Sequence, residues 1–162
     1  MTSGRNMDTE LKDIMNKAVE FHGHLGPFLA IGVRMGLLAK RTLKSNGFGD
    51  LSVTVNTGNK PPLSCVVDGI QVATGCTLGK GNIAVTNLSE ISAVFHAKRR
   101  TIRVKMKTEV FQSLKGELLD GDAEKMEETA RKISSIPDAK LFSIKELTEK
   151  DFVKPKRNVT DI

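Results

Sequence analysis

Leu11, Ile14, Met15, Ala18 and Val19 recur at the three- and four-residue spacing of an amphipathic helix. Asp8 or Thr9 can cap its N-terminus, so the pattern predicts a first helix from there to about Phe21. His22-Gly23-His24-Leu25-Gly26 breaks the period, and Pro27 suits the first position of a second helix, where its missing N–H costs nothing. That helix, over 27–44, is apolar on nearly every side (Phe28, Leu29, Ile31, Val33, Met35, Leu37, Leu38), which predicts a central, buried position. Gly32 and Gly36 share one face of it, where another backbone can approach closely.

Asn46 to Asp50 reads as a turn and Leu51 to Val55 as a strand. Pro61-Pro62 ends the next loop, and a third helix is predicted from Cys65 to Thr74, with Gly75 as the left-handed residue that stops it. Strand-like runs follow at Ile83–Thr86, Ile91–His96 and Thr101–Lys107. In the last, Ile102, Val104 and Met106 point one way while Arg103, Lys105 and Lys107 point to water. Helical patterns at 108–119 and 122–134 and a final strand at 140–147 complete the chain. Helices packed on a mainly antiparallel sheet make the expected class α+β. Neither a repeat nor a linker divides it, so one domain is expected over 1–150, with a basic tail at 151–162.

Composition narrows the function classes. Hydrophobic residues at 39% and charged residues at 27% of 162 are ordinary globular values, which excludes a disordered or fibrous chain. No run reaches the roughly 18 uncharged apolar residues of a membrane span; the best, Leu25 to Ala39, carries Arg34. The first residues hold no apolar stretch of the kind that directs export, so a soluble cytoplasmic protein is expected, with no membrane partner. A net charge of +6 raises the question of nucleic acid, but Trp and Tyr are absent and the positive charges are scattered. A solvated basic surface explains the charge better than a stacking platform does, and nucleic acid is not an expected partner.

Two cysteines and three histidines are the elements of one small metal site. Imidazoles at His22 and His24 can face one way if their segment is extended, beside the N-terminus of the second helix. Two histidines that merely cap and pack a helix junction are the competing reading. Cys65 would sit in the first turn of the third helix, where the helix dipole favours thiolate. Cys76 would lie past its other end, on the order of 16 Å away along a helix at about 1.5 Å per residue, too far to share an ion. Cys65, Asp68 and Gln71 form a polar stripe on that otherwise apolar helix. Gly75 to Gly81 invites comparison with a phosphate-binding loop and fails it, since the spacing is short and no Ser or Thr follows Lys80.

Phe21-His22-Gly23-His24-Leu25-Gly26-Pro27, Gly32-Val33-Arg34-Met35-Gly36, and the long run from Cys65 through Asp68, Gln71, Gly75 and Cys76 to Asn82 together resemble the FmdE family, which takes its name from a component of formylmethanofuran dehydrogenase. The resemblance covers about residues 10–120. It implies an α+β core with a cleft and a divalent transition-metal site, zinc by expectation, built from His22, His24 and Cys65. Asp68 and Lys80 are then the candidates for proton transfer or anion binding, with Cys76 as a further candidate catalytic thiol. It also implies a role beside the molybdenum or tungsten enzyme that reduces carbon dioxide to formylmethanofuran in methanogenesis, as accessory subunit, small metal-dependent enzyme, or non-catalytic metal-carrying or docking module of a redox complex. The apolar second helix suggests a homodimer as well. Two departures stand out: the family often has Cys at the position of Gly26, and this chain has no cysteine after Cys76 to form the zinc ribbon many members carry.

Overall fold

A computed structural model describes residues 3–151. Its elements, in chain order, are α1 (Ser3–His22), α2 (Pro27–Leu43), β1 (Ser52–Val55), α3 (Cys65–Thr74), β2 (Ile83–Val85), β3 (Ser92–Ala97), β4 (Arg100–Met106), α4 (Thr108–Leu118), α5 (Ala123–Ser135), α6 (Asp138–Leu141) and β5 (Phe142–Leu147). The tail predicted from 151 onward lies outside the described residues beyond its first position.

One five-stranded sheet runs in the order β2-β1-β3-β4-β5. Three neighbouring pairs are antiparallel, and β1 with β2 is parallel. The parallel pair follows from connectivity: a strand that returns to the same sheet in the same direction needs a crossover, and α3 is that crossover. Val53, Phe95 and Ile102 stand in register across three strands, as do Val55, Ala93 and Val104, and all six are buried. This apolar side of the sheet and α2 belong to one core cluster.

α2 is buried continuously from Pro27 to Ala39. Its apolar surround is therefore covered within one chain and carries no argument for a dimer. Gly32 and Gly36 face α3, in keeping with their spacing. A Cβ on Gly32 would collide with the Val66 carbonyl and approach Gly69 Cα to 3.0 Å; one on Gly36 would reach 2.8 Å from Ala73 Cβ. Gly69 reciprocates from α3, where a Cβ would lie 2.6 Å from the Val33 nitrogen. The two helices thus cross backbone against backbone, which holds the start of α3 beside the start of α2.

Local signals place the boundaries of these two helices well. Pro27 opens α2, and Gly75, at φ 73°, closes α3. α1 begins at Ser3, ahead of the predicted cap at Asp8 or Thr9, and β5 is preceded by the one-turn helix α6. The buried charge in α2 has a structural use. Arg34 donates from Nη1 to the carbonyls of Ile133 (2.8 Å) and Ser134 (3.0 Å), and from Nη2 to Ile136 O (2.6 Å) and Asp138 Oδ1 (2.7 Å). Those carbonyls end α5 and have no intrahelical partners, so the guanidinium caps one helix from the middle of another.

Candidate metal centre

α1 stops at His22, and Gly23, at φ 105°, turns the chain out of the helix in a conformation that favours glycine. The turn carries His24 back beside His22, with ring centroids 4.7 Å apart and planes at 43°. Asp68, in the first turn of α3, meets His22: Nδ1 and Oδ2 are 2.6 Å apart. A carboxylate at this distance accepts, so Nδ1 carries the proton and Nε2 keeps its lone pair. That Nε2 is buried and has no hydrogen-bond partner. An unpaired buried acceptor costs about 1–3 kcal/mol, and a carboxylate-oriented imidazole with a bare Nε2 is the arrangement of a metal-ligating histidine.

Cys65 opens α3, its own N–H donating to Pro62 O at 3.1 Å. His22, His24 and Cys65 all line one cavity of about 270 Å³. The first turn of α2, Gly26 to Leu29, forms its floor, and Leu118, Leu119 and Asp120 with Met126 form the opposite wall. The Cys65 thiol is pushed above its ordinary pKa by burial first and by the Asp68 carboxylate second, against a smaller lowering by a backbone hydrogen bond. The expectation that a helix N-terminus would favour thiolate here is therefore overturned: loss of water and a nearby negative charge outweigh the amide dipoles.

The donor types fit a borderline-soft cation such as zinc, two imidazole nitrogens and one sulfur. They face the same space without being assembled around a point: among the described residues, no three His, Cys, Asp or Glu side chains are grouped closely enough to hold one ion as they stand. His24 is exposed and free to swing, whereas His22 is fixed by Asp68.

Residues 21–154 match the family model described as FmdE, molybdenum formylmethanofuran dehydrogenase operon. The chain belongs to the FmdE family. An FmdE-like protein of tungsten formylmethanofuran dehydrogenase from Syntrophus aciditrophicus, known from its crystal structure, superposes on this FmdE-family chain with a TM-score of 0.64 at 21% identity, over 85% of this chain and 72% of that one. That likeness concerns the fold. A probable S-adenosyl-L-methionine-binding protein from Archaeoglobus fulgidus is 36% identical over 91 residues, 52% of this chain and 24% of that protein, so the chain spans about a quarter of that relative's length.

Within this FmdE fold the remaining candidates lie elsewhere. Cys76 follows α3 at its far end, fully buried, with Sγ donating to Leu51 O at 3.3 Å. Burial raises its pKa as well. Lys80 is exposed on the loop after it, its ammonium 5.9 Å from the Phe48 ring centroid. A ten-residue helix spans about 15 Å, so neither group shares the cavity of Cys65. Asp68 is the one candidate for proton work that joins the histidines. The apolar wall from the α4–α5 connection has no signature in the sequence, because nothing in a polar, Gly-containing turn announces what it faces. Arg34 reads in the sequence only as an interruption, although a lone charge in a helix buried all round is a signal for a specific acceptor cluster.

Proposed function

We propose that this FmdE-family protein binds one divalent transition-metal ion, zinc by donor type, through His22, His24 and Cys65. We further propose that it serves a formylmethanofuran dehydrogenase-type system as an accessory subunit or small metal-dependent enzyme. The observation that carries the metal reading is the buried, unpaired Nε2 of His22, held in that tautomer by Asp68 and lining one cavity with His24 and Cys65. The family model and the name of the Syntrophus relative support the association with the dehydrogenase. Adenosylmethionine binding is not carried over from the Archaeoglobus relative, because a cavity near 270 Å³ falls below the roughly 300–1,000 Å³ of pockets for drug-sized ligands.

Each residue has a separable task. Asp68 keeps the proton on His22 Nδ1 and so presents the other nitrogen as a donor. Cys65 holds its proton at neutral pH, so uptake of an ion there displaces a proton and becomes stronger as pH rises. Phe28, Leu29 and Leu118 are buried around the cavity and limit water within it. With three protein donors and one open position, a bound zinc supplies Lewis-acid and water-activating chemistry.

Metal content of the purified full chain tests this, beside His22→Ala and Cys65→Ser. One metal per chain, lost in both variants, is the expected result; full retention in either variant removes that residue from the ligand set. A second reading, a non-catalytic metal-carrying or docking module of a redox complex, draws support from Phe48 and Leu78, 65% and 79% exposed on adjoining loops. A metal site already saturated by protein donors, unable to take an exogenous ligand, favours that second reading.

A further inference from the structure

The far side of the cavity is unlike a simple metal-storage site. Phe28 and Leu118, each 2% exposed, and Leu29, fully buried, form its walls with the thioether of Met126. Among the described residues, no lysine or arginine lines it. Its one added acid, Asp120, is already engaged: it accepts from the Asp122 N–H at 3.0 Å and pairs with Lys125 at 3.4 Å. The space therefore has polar donors at one end, hydrocarbon at the other and no free charge to match a charged body.

Its size sets a limit. An apolar cavity of about 150 Å³ holds benzene, so about 270 Å³ accommodates roughly ten non-hydrogen atoms in proportion. Gly26 keeps part of that space open. It is buried, lines the cavity, and a Cβ there would stand 3.3 Å from His24 Nε2. Its φ of −129° is one any residue adopts, so the backbone does not require glycine at this position.

We propose that this cavity binds a small, uncharged-bodied molecule of roughly ten non-hydrogen atoms, with one metal-ligating oxygen or sulfur head at the His22, His24 and Cys65 end and an apolar body against Phe28, Leu118 and Met126. The inference rests on the metal reading above, and its test separates the two. Zinc is added to the full chain and its stoichiometry measured first. Acetohydroxamate and benzohydroxamate, which share a head and differ in body, are then titrated calorimetrically. Benzohydroxamate is expected to bind roughly tenfold tighter or more, as burial of an aromatic ring implies, and to shift the Met126 methyl resonance. A biphenyl hydroxamate, too large for the space, loses that gain. Gly26→Ala, which adds a methyl beside His24, is expected to weaken benzohydroxamate while the variant keeps its fold by circular dichroism and its zinc. Failure of zinc to bind overturns the metal reading and this inference together, before any probe is added. Bound zinc with equal affinities for the two probes, or with an unmoved Met126 methyl, overturns this inference alone.

Discussion

Replacing Gly69 by alanine would put a methyl group 2.6 Å from the Val33 amide nitrogen and closer still to the Leu29 carbonyl oxygen. Both atoms belong to the α2 backbone and cannot rotate aside. Ordinary contact needs about 3.5 Å, so the helices must part locally by roughly 1 Å. Overpacking of this kind costs about 1–3 kcal/mol, and rigid backbone puts it at the upper end. Alanine returns at most about 1 kcal/mol of helix propensity, which leaves a net loss of about 2 kcal/mol. For a chain of this size that lowers Tm by about 4–8 °C. Gly116, in α4, supplies the contrast: a Cβ there meets nothing within 4 Å, so Gly116→Ala is expected to raise Tm by a few degrees. Thermal and urea unfolding of the two variants give the comparison. Because Gly69 adjoins Asp68, the same displacement lengthens the 2.6 Å contact with His22, and metal affinity is expected to fall in Gly69→Ala alone. A Gly69→Ala protein as stable as wild type would refute the backbone-contact reasoning.

Asp68→Ala is expected to lower metal affinity about 10–100-fold, as loss of an orienting carboxylate does, with stability little changed; unchanged affinity in a chelator competition would show that His22 needs no such partner. Arg34→Leu deprives the Ile133, Ser134 and Ile136 carbonyls of their donor, while Asp138 keeps Arg41 at 2.6 Å. A loss of about 3 kcal/mol is expected from leaving such groups unpaired, and a urea-measured loss below about 1 kcal/mol would count against the capping role. Cys76 has a raised thiol pKa from burial; the folded state therefore holds that proton more tightly than the unfolded chain. Stability is full below the ordinary cysteine value near 8.5 and declines as pH rises beyond it. Cys76→Ala should flatten that alkaline decline, and a slope as steep as wild type would contradict the assignment.

The elements that can be read from the chain are those with local causes. Pro27 and Gly75 mark helix ends because proline lacks an N–H and glycine accepts positive φ, and both lie at the observed ends to within a residue or so. The β4 alternation of Ile102, Val104 and Met106 survives as a buried strand face. Gly32 and Gly36 announce a close helix contact because a four-residue spacing of missing side chains leaves a groove. The parallel pairing of β2 on β1 has no local mark, since strand direction depends on where a crossover lands. The protonation of Cys65 departs from expectation for a related reason: the helix dipole is local, but burial and the charge of Asp68 depend on what packs around the thiol.

Periodicity and spacing alone, then, determined that this protein has a buried central helix, a short helix opening on Cys65, and a His-x-His junction ready to ligate. The fold alone decided that Asp68 grips His22 from 46 positions away, that Leu118 and Met126 close the cavity, and that Arg34 caps α5. Residue patterns record which side of an element avoids water. Which two sides then meet is a property of the packed whole, set here by glycines that let α2 and α3 touch along their backbones.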